Sequence, residues 1–237
     1  MKIQAFNPFL PSYEYIPDAE PYVFGSRVYV YGSHDRFDGE DFCMNDYVCW
    51  SAPIDDLGAW KKERVIYRSV QDPLNEDGTQ HLFAPDVQVG EDGRYYLFYC
   101  LHRSPTVSVA VCDEPAGEYQ FYGHIHYADG ILYGQKQGDV FNFDPGVLKD
   151  DDGRIYLYTG LSYLKDAPMR KYLAGMFQID GSYCVELDKD MLTLKSEPVL
   201  TVPGEVLAEG TDFEGHGFFE ASSPRKINGR YYMIYSS

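Results

Sequence analysis

Four carboxylates recur at nearly the same place in a repeated sequence unit. In each unit an acid stands 8 to 10 residues before an arginine that opens a strand-like run. The four pairs are Asp18 and Arg27, Asp86 and Arg94, Asp144 and Arg154, and Glu220 and Arg230. Two carboxyl groups in one pocket can work as an acid and a base, one donating a proton while the other activates water. The recurrence therefore indicates acid–base chemistry if the fold brings the acids together.

The repeated unit predicts a β-hairpin. In its clearest copy an apolar run after Asp144 leads to Asp152-Gly153 and then to the alternating strand 154–160. Asp-Gly and Asn-Gly tolerate positive φ, and between β-rich runs they are the strongest local hairpin signal. The four arginines are 67, 60 and 76 residues apart, and a repeat of several strands at such a period indicates a β-propeller. The first strand of each blade lines the central channel, so we expect the four acids to converge on one axis.

Composition limits the class of protein and its partners. The 237 residues fit one domain, and we expect residues 1–237 to form a single all-β propeller domain. Aromatic residues make up 16% of the chain and tyrosine alone counts 22, which suits twisted sheets with packed faces. The formal charge of −17 argues against nucleic acid or an anionic membrane as a partner. A neutral carbohydrate would not be repelled.

The cysteines and histidines indicate a reducing compartment and no local metal motif. Five scattered cysteines form no CxxC pair, and the N-terminus lacks the apolar core of a signal peptide, so we expect free thiols in a cytoplasmic protein. The six histidines show no HExxH or paired spacing, so we predict no metal site.

Individual elements follow from the same patterns. We predict strands at the segments 27–33, 47–51, 61–67, 94–100, 106–111, 118–123, 154–160 and 174–179. A basic loop is expected at 165–171, and the one helix candidate is at 203–209. The sequence stops after two strands of the fourth unit, which predicts about three and a half blades and a longer parent protein.

Several segments resemble the motifs of glycoside hydrolase family 43. They are Asn7-Pro8 with Pro17-Asp18, Phe83-Ala84-Pro85-Asp86, Phe143-Asp144-Pro145 with its Asp-Gly turn, and Gly217-Phe218-Phe219-Glu220-Ala221-Ser222-Ser223. The resemblance implies a five-bladed propeller that hydrolyses arabinofuranosides or β-xylosides, as in xylan degradation, with inversion at the anomeric carbon. By motif, Asp18 resembles the general base, Glu220 the general acid, and Asp144 the third carboxylate, which orients the acid and tunes its pKa.

The resemblance also indicates substrate-binding residues. Phe83, Ala84 and Phe143 fall where the family lines its sugar pocket, and Asp86 is expected to support them. The family usually has Trp at the position of Phe83, so a smaller sugar platform is expected. His34, His81 and His216 lie near the motif segments, where they either contact sugar hydroxyls or make ordinary loop hydrogen bonds. No cofactor is expected to be required, although the resemblance allows an axial calcium ion held by later blades.

Three functions remain open from the sequence. The first is an inverting glycosidase that removes arabinofuranosyl or xylosyl units from short oligosaccharides. The second is a carbohydrate-binding propeller that is non-catalytic or inactive because it is truncated. The third is a scaffold for protein partners, which would not require Asp18, Asp144 and Glu220 to meet.

Overall fold

The computed structural model describes residues 7–237 as a succession of antiparallel sheets. Three sheets have four strands each, in the orders β1-β2-β3-β4, β5-β6-β7-β8 and β9-β10-β11-β12, and β13 pairs with β14. The strands are β1 Glu20–Phe24, β2 Arg27–Tyr31, β3 Tyr47–Pro53, β4 Lys61–Tyr67, β5 Leu82–Val89, β6 Tyr95–Leu101, β7 Val107–Cys112, β8 Gln120–His124, β9 Gly146–Lys149, β10 Ile155–Ser162, β11 Asp180–Leu187, β12 Val199–Pro203, β13 Glu220–Ile227 and β14 Arg230–Ser236. The predicted all-β propeller, with three and a half blades in this sequence, is confirmed.

The hairpin turns lie at the predicted positions. Asn228 and Gly229 have φ of 51° and 74° and form the two-residue turn that pairs Ile227 with Arg230. Two residues at positive φ match the twist of the flanking strands, which is why Asn-Gly is favoured there. Gly93 and Gly153 occupy the corresponding turns with φ of 82° and 84°. The local sequence therefore determines the hairpin of each blade.

The core lies between neighbouring sheets, and the second sheet is buried on both faces. Along β6, Leu97 and Tyr99 pack into a cluster with the first blade, whereas Tyr96 and Phe98 pack into a cluster with the third. Successive side chains of a strand point to opposite faces, so one apolar strand can serve two interfaces. This double burial accounts for the long aromatic and aliphatic runs in the sequence.

The inner strands β1, β5, β9 and β13 meet at the centre. The Tyr22 hydroxyl on β1 donates to Asp86 on β5, and Asp86 also accepts a hydrogen bond from Val147 N on β9. Between β9 and β13 the backbones approach so closely that a Cβ on Gly146 would lie 2.0 Å from the Ser222 carbonyl oxygen. Glycine is therefore required at residue 146, and this contact holds the third and fourth blades together.

The connections differ from the sequence prediction in the third blade. The predicted basic loop contains the helix α1 (Pro168–Leu173), which begins with a proline, a residue well suited to the first turn of a helix. The strand predicted at 174–179 is wrong, because β10 pairs with β11 from Ser162 opposite Asp180 onward. Residues 176–178 instead bond to the loop 138–141, for example through Gln178 N and the Asp139 carbonyl oxygen.

The remaining helices are short. The helix predicted near 203–209 is present as α2 (Glu205–Ala208), and two 3₁₀ turns, Ser69–Gln71 and Pro73–Asn75, precede β5. Over residues 7–237, no helix combines the length and the apolar character that crossing a bilayer would require. All five cysteines are free thiols, and Cys43, Cys49 and Cys100 are buried.

Candidate active site

Each blade reaches the centre through a residue with unusual backbone geometry. These residues are Asp18, Ala84, Asp144 and Ala221, with φ of 54°, 27°, 47° and 65°. Residues other than glycine rarely adopt positive φ, and those that do cluster at functional sites. In β5 and β13 the pairing register shifts at this step, and such bulges change the direction of the neighbouring side chains. The same irregularity thus recurs around the channel.

A cavity of about 410 Å³ lies at this end of the channel. Its lining residues are Pro17, Asp18, Asp35, Phe42, Cys43, Phe83, Phe143, Asp144 and Glu220. The fold therefore brings together the three predicted catalytic acids, Asp18, Asp144 and Glu220, from the first, third and fourth blades. The predicted aromatic residues Phe83 and Phe143 lie in the same cavity.

Asp18 is positioned by a buried serine. The Ser33 hydroxyl donates to Asp18 Oδ2 over 2.9 Å and accepts a hydrogen bond from Ala84 N over 2.8 Å. Partial burial raises the pKa of Asp18, the hydrogen bond from Ser33 opposes that rise, and the nearby Asp35 adds to it. A hydroxyl that donates to a carboxylate favours its ionised form. Asp18 is thus the acid of the three that has a side-chain donor supporting its negative charge.

Asp144 and Glu220 have surroundings that favour protonation. Asp144 is only 6% exposed, and Ala221 N donates to its Oδ2 over 3.1 Å. Burial raises the pKa of Asp144 well above its usual range, and the charges of Glu220 and Asp18 raise it further. Burial also raises the pKa of Glu220, and the charge of Asp18 adds to this shift. An ionised Asp18 therefore helps to keep a proton on each of the other two acids.

Aromatic rings form one wall of the cavity. The ring centroids of Phe83 and Phe143 lie 5.8 Å apart, which joins the second and third blades. The backbone carbonyl of Phe83 accepts a hydrogen bond from the Tyr47 hydroxyl, which fixes the segment before Ala84. An apolar wall facing three carboxyl groups suits a ligand with one apolar face and several hydroxyl groups.

The fourth recurring acid, Asp86, does not reach the cavity. It is fully buried, and its oxygens accept hydrogen bonds from Tyr22 Oη, Val87 N and Val147 N. Burial raises the pKa of Asp86 to about 6, against the lowering effect of these donors. The expected convergence of four acids in one cavity therefore holds for three, because Asp86 is fully buried and its oxygens are bonded within the protein. It joins the inner strands of three blades.

The other predicted substrate-binding residues do not line the cavity. Ala84 is nearly buried and contributes its backbone N–H to Ser33. His34 is held by the Asp46 carbonyl oxygen, 2.9 Å from its Nδ1, with Glu14 close to its other nitrogen. His216 is exposed on the loop before β13. Direct sugar contact by Ala84, Asp86, His34 or His216 is thus not visible in this arrangement.

Several residues of the site were not found by sequence reasoning. Asp35, Phe42 and Cys43 lie on the long loop between β2 and β3, and Asp35 Oδ1 accepts a hydrogen bond from Cys43 N over 2.7 Å. Burial raises the pKa of the Cys43 thiol to about 12, so it is a neutral part of the wall. The only available signal was the polar loop that directly follows the Ser33 segment.

A separate group of potential metal ligands lies beside the cavity. Among residues 7–237, donor atoms of Asp41, His81 and His102 lie within 4.8 Å of one another. Within the part of the chain that the structure describes, the three axial acids are not part of a group whose donor atoms lie this close together.

The fold and the cavity together define the class of protein: a β-propeller with an acid-lined and partly aromatic central pocket. Sequence comparison then gives the family. The profile described as "Glycosyl hydrolases family 43" matches residues 7–237, and the chain belongs to this family.

Individual relatives agree with the family. The chain is 56% identical over 237 residues to a xylosidase/arabinosidase of Thermoclostridium stercorarium, covering 100% of this chain and 48% of that protein. It is 30% identical to a xylosidase/arabinosidase of Bacteroides ovatus, covering 94% of this chain and 71% of the relative. A β-xylosidase/α-arabinofuranosidase of family 43 from a compost microbial metagenome, solved in complex with xylotriose, superposes with a TM-score of 0.69 at 25% identity, covering 95% of this chain and 71% of that one. The chain thus spans about half the length of the first of these relatives.

Proposed function

We propose that the protein is an inverting glycoside hydrolase that removes arabinofuranosyl or xylosyl units from plant-type oligosaccharides. The observation that carries the proposal is the single cavity in which Asp18, Asp144 and Glu220 face an aromatic wall. Family membership and the names of the relatives support the same activity and the same two sugars.

In the proposed mechanism Asp18 acts as the general base. Its carboxylate takes a proton from a water molecule, which attacks the anomeric carbon from the face opposite the leaving group. The Ser33 hydroxyl keeps the carboxylate oriented and favours the ionised form that this role needs.

Glu220 acts as the general acid and protonates the leaving oxygen. Burial raises the pKa of Glu220 and the negative charge of Asp18 adds to that rise, so the surroundings favour the protonated form that a general acid needs. Asp144 accepts a hydrogen bond from Ala221 N, next to Glu220 in the chain, and thereby positions the acid. We assign these roles to chain residues alone and propose that hydrolysis needs no cofactor.

The substrate is proposed to be a short oligosaccharide with a terminal pentose. The cavity volume falls within the range of roughly 300–1,000 Å³ that is common for small-ligand sites. The fully free cysteines support the cytoplasm as the proposed compartment, where imported oligosaccharides would be the substrates.

The test is hydrolysis of aryl α-L-arabinofuranoside and aryl β-D-xyloside by the wild type, Glu220→Ala and a matched control, Glu118→Ala. Glu118 is exposed on the loop before β8 and lies outside the cavity. Removal of the general acid is expected to lower the rate by about 10²–10⁴-fold for a poor leaving group and by much less for a dinitrophenyl leaving group, which needs little protonation. The control should retain the wild-type rate.

Two further measurements separate the roles and the stereochemistry. Proton NMR of the first product formed should show the inverted anomer. Azide should restore turnover to Asp18→Gly, because a small anion can attack where the water was activated. The mechanism would be refuted if the product retained the configuration of the substrate. It would also be refuted if Glu220→Ala and the wild type were equally active on both leaving groups. Sugar binding by an inactive wild type would favour the non-catalytic alternative.

A further inference from the structure

Asp41, His81 and His102 form a cluster outside the acid triad. Asp41 lies on the loop between β2 and β3, whereas His81 directly precedes β5 and His102 directly follows β6. His102 N donates to the His81 carbonyl oxygen over 3.0 Å, so the two residues face each other across the hairpin. Side chains of such cross-strand neighbours lie on the same face of a sheet, and the two imidazole centroids are 5.7 Å apart.

The Asp41 carboxylate is oriented toward both imidazoles. Phe42 N donates to Asp41 Oδ1 over 2.8 Å, which fixes the carboxylate and directs the other oxygen away from the backbone. Asp41 Oδ2 then lies 3.6 Å from His81 Nδ1 and 3.9 Å from His102 Nδ1. Three donor atoms from two blades thus converge on one point.

These contacts are too long to be hydrogen bonds. An N–H···O hydrogen bond spans about 2.7–3.2 Å, and both distances exceed that range. His81 Nδ1 is also inaccessible to solvent and has no hydrogen-bond partner. Buried polar atoms nearly always have a partner, and one without it points to an unassigned water or ion. The cluster therefore has the spacing and the unmet polar atom of a ligand site.

We propose that Asp41, His81 and His102 bind one divalent first-row transition ion of the zinc class. Bonds of about 2.0–2.2 Å from zinc to nitrogen and oxygen place tetrahedral ligand atoms about 3.4 Å apart. The two distances to Asp41 Oδ2 need to contract by only a few tenths of an ångström to reach this value. Imidazole nitrogen suits zinc, cobalt or nickel, whereas calcium and magnesium prefer all-oxygen sites. Asp41 is exposed, so water can complete the coordination.

The ion would fix one side of the sugar cavity rather than take part in bond cleavage. Phe42, next to Asp41, lines the cavity, and the Phe83 ring lies 5.3 Å from the His102 ring. A metal bond to Asp41 would hold the β2–β3 loop of the first blade against the second blade. The site thus connects the position of the cavity wall to metal binding, and it does not depend on the proposed hydrolytic activity.

The test measures Zn²⁺ and Co²⁺ binding to chelator-treated protein. Isothermal titration with Zn²⁺ should give one ion per chain in the wild type, and Co²⁺ should give the visible absorption of a nitrogen- and oxygen-ligated ion. His102→Ala and Asp41→Asn should each weaken Zn²⁺ binding at least tenfold. The matched control is His216→Ala, which removes an exposed histidine outside the cluster and should bind Zn²⁺ as the wild type does.

Thermal unfolding gives an independent readout. Zn²⁺ should raise the Tm of the wild type and of His216→Ala but not that of His102→Ala, because only a folded site gains stability from the ion. His102 is partly exposed, so its truncation should leave a folded chain, as circular dichroism would verify. The assignment would be overturned if Zn²⁺ did not bind stoichiometrically, or if His102→Ala bound it with wild-type affinity. An intense cobalt–thiolate band, which would indicate Cys43 as a ligand, would overturn it as well.

Discussion

The hydrogen bond between Ser33 and Asp18 allows a direct test of which acid is the base. The substitution is Ser33→Ala, which removes the hydroxyl that donates to Asp18 Oδ2 over 2.9 Å. The hydrogen bond stabilises ionised Asp18, so its loss raises the pKa of that carboxyl. The base must be ionised to act, and the acid limb of the pH profile should therefore move to higher pH.

The size of the shift follows from the hydrogen-bond energy and the exposure of the site. A hydrogen bond to a charged group contributes about 1.5–3 kcal/mol when it is buried. Asp18 is partly open to solvent, so we reduce this to about 1 kcal/mol. At 1.36 kcal/mol for each pKa unit, the acid limb should move up by about 0.7 pH units. The alkaline limb, assigned to Glu220, should move little because Asp18 is already ionised at that pH.

The assay is the pH dependence of kcat/KM for an aryl glycoside, which reports the pKa values of the free enzyme. The control is Ser51→Ala, which removes another buried hydroxyl, bonded to Arg27 and Glu63 away from the cavity. Ser33→Ala also leaves Ala84 N without its acceptor, so urea unfolding must accompany the assay. An unmoved acid limb in folded Ser33→Ala would refute the tuning of Asp18. A shift of the alkaline limb instead would exchange the roles of Asp18 and Glu220.

Three stability predictions follow from other buried polar groups, each measured by urea unfolding. Asp144→Asn should become more stable than the wild type as pH rises through the raised pKa of Asp144, because an amide never has to ionise in the buried site. The same variant should lose hydrolysis. Equal pH dependence of unfolding in the two proteins would contradict the stability prediction. Asp86→Asn should lose about 1–3 kcal/mol, because the amide nitrogen cannot accept the hydrogen bonds that reach one of the two carboxyl oxygens. It should also lack the decline in wild-type stability that the pKa of about 6 predicts as pH rises through that value, and an unchanged slope would argue against this. Tyr99→Phe removes a donor to buried Asp72 and should lower the free energy of unfolding by about 1.5–3 kcal/mol. Tyr67→Phe removes only a neutral partner of Tyr99 and should lower it by about 1 kcal/mol. The reverse order would show that Asp72 does not depend on Tyr99.

The predicted and observed elements agree best where local sequence controls the backbone. The hairpin at Asn228-Gly229 was predictable because two adjacent residues determine the turn. The strand expected at 174–179 was not, since an apolar run pairs with β10 only if the register allows it. In that blade the pairing begins at Asp180, and the preceding residues bond to a loop instead. Strand boundaries that depend on a distant partner are therefore the less predictable part of the fold.

The residues of the candidate site were likewise predictable from the sequence only in part. The repeat indicated four acids, the resemblance to family 43 singled out Asp18, Asp144 and Glu220 among them, and the cavity contains these three. Asp86 recurs at nearly the same position, yet the bulge in β5 and the neighbouring blades bury it. Asp35 and Phe42 were missed because nothing in a polar loop indicates which side chains turn inward.

The sequence by itself determined the repeated hairpins, the all-β class and four acids at nearly equivalent positions, because turn residues and alternating side chains act over a few neighbouring residues. Only the tertiary structure decided which acids share a cavity, how their charges interact, and that Asp41, His81 and His102 meet. The two histidines are brought together by the pairing of β5 with β6, and the aspartate by a loop of another blade. Contacts between distant segments depend on how the blades pack around the axis, and that packing is not encoded in any one segment.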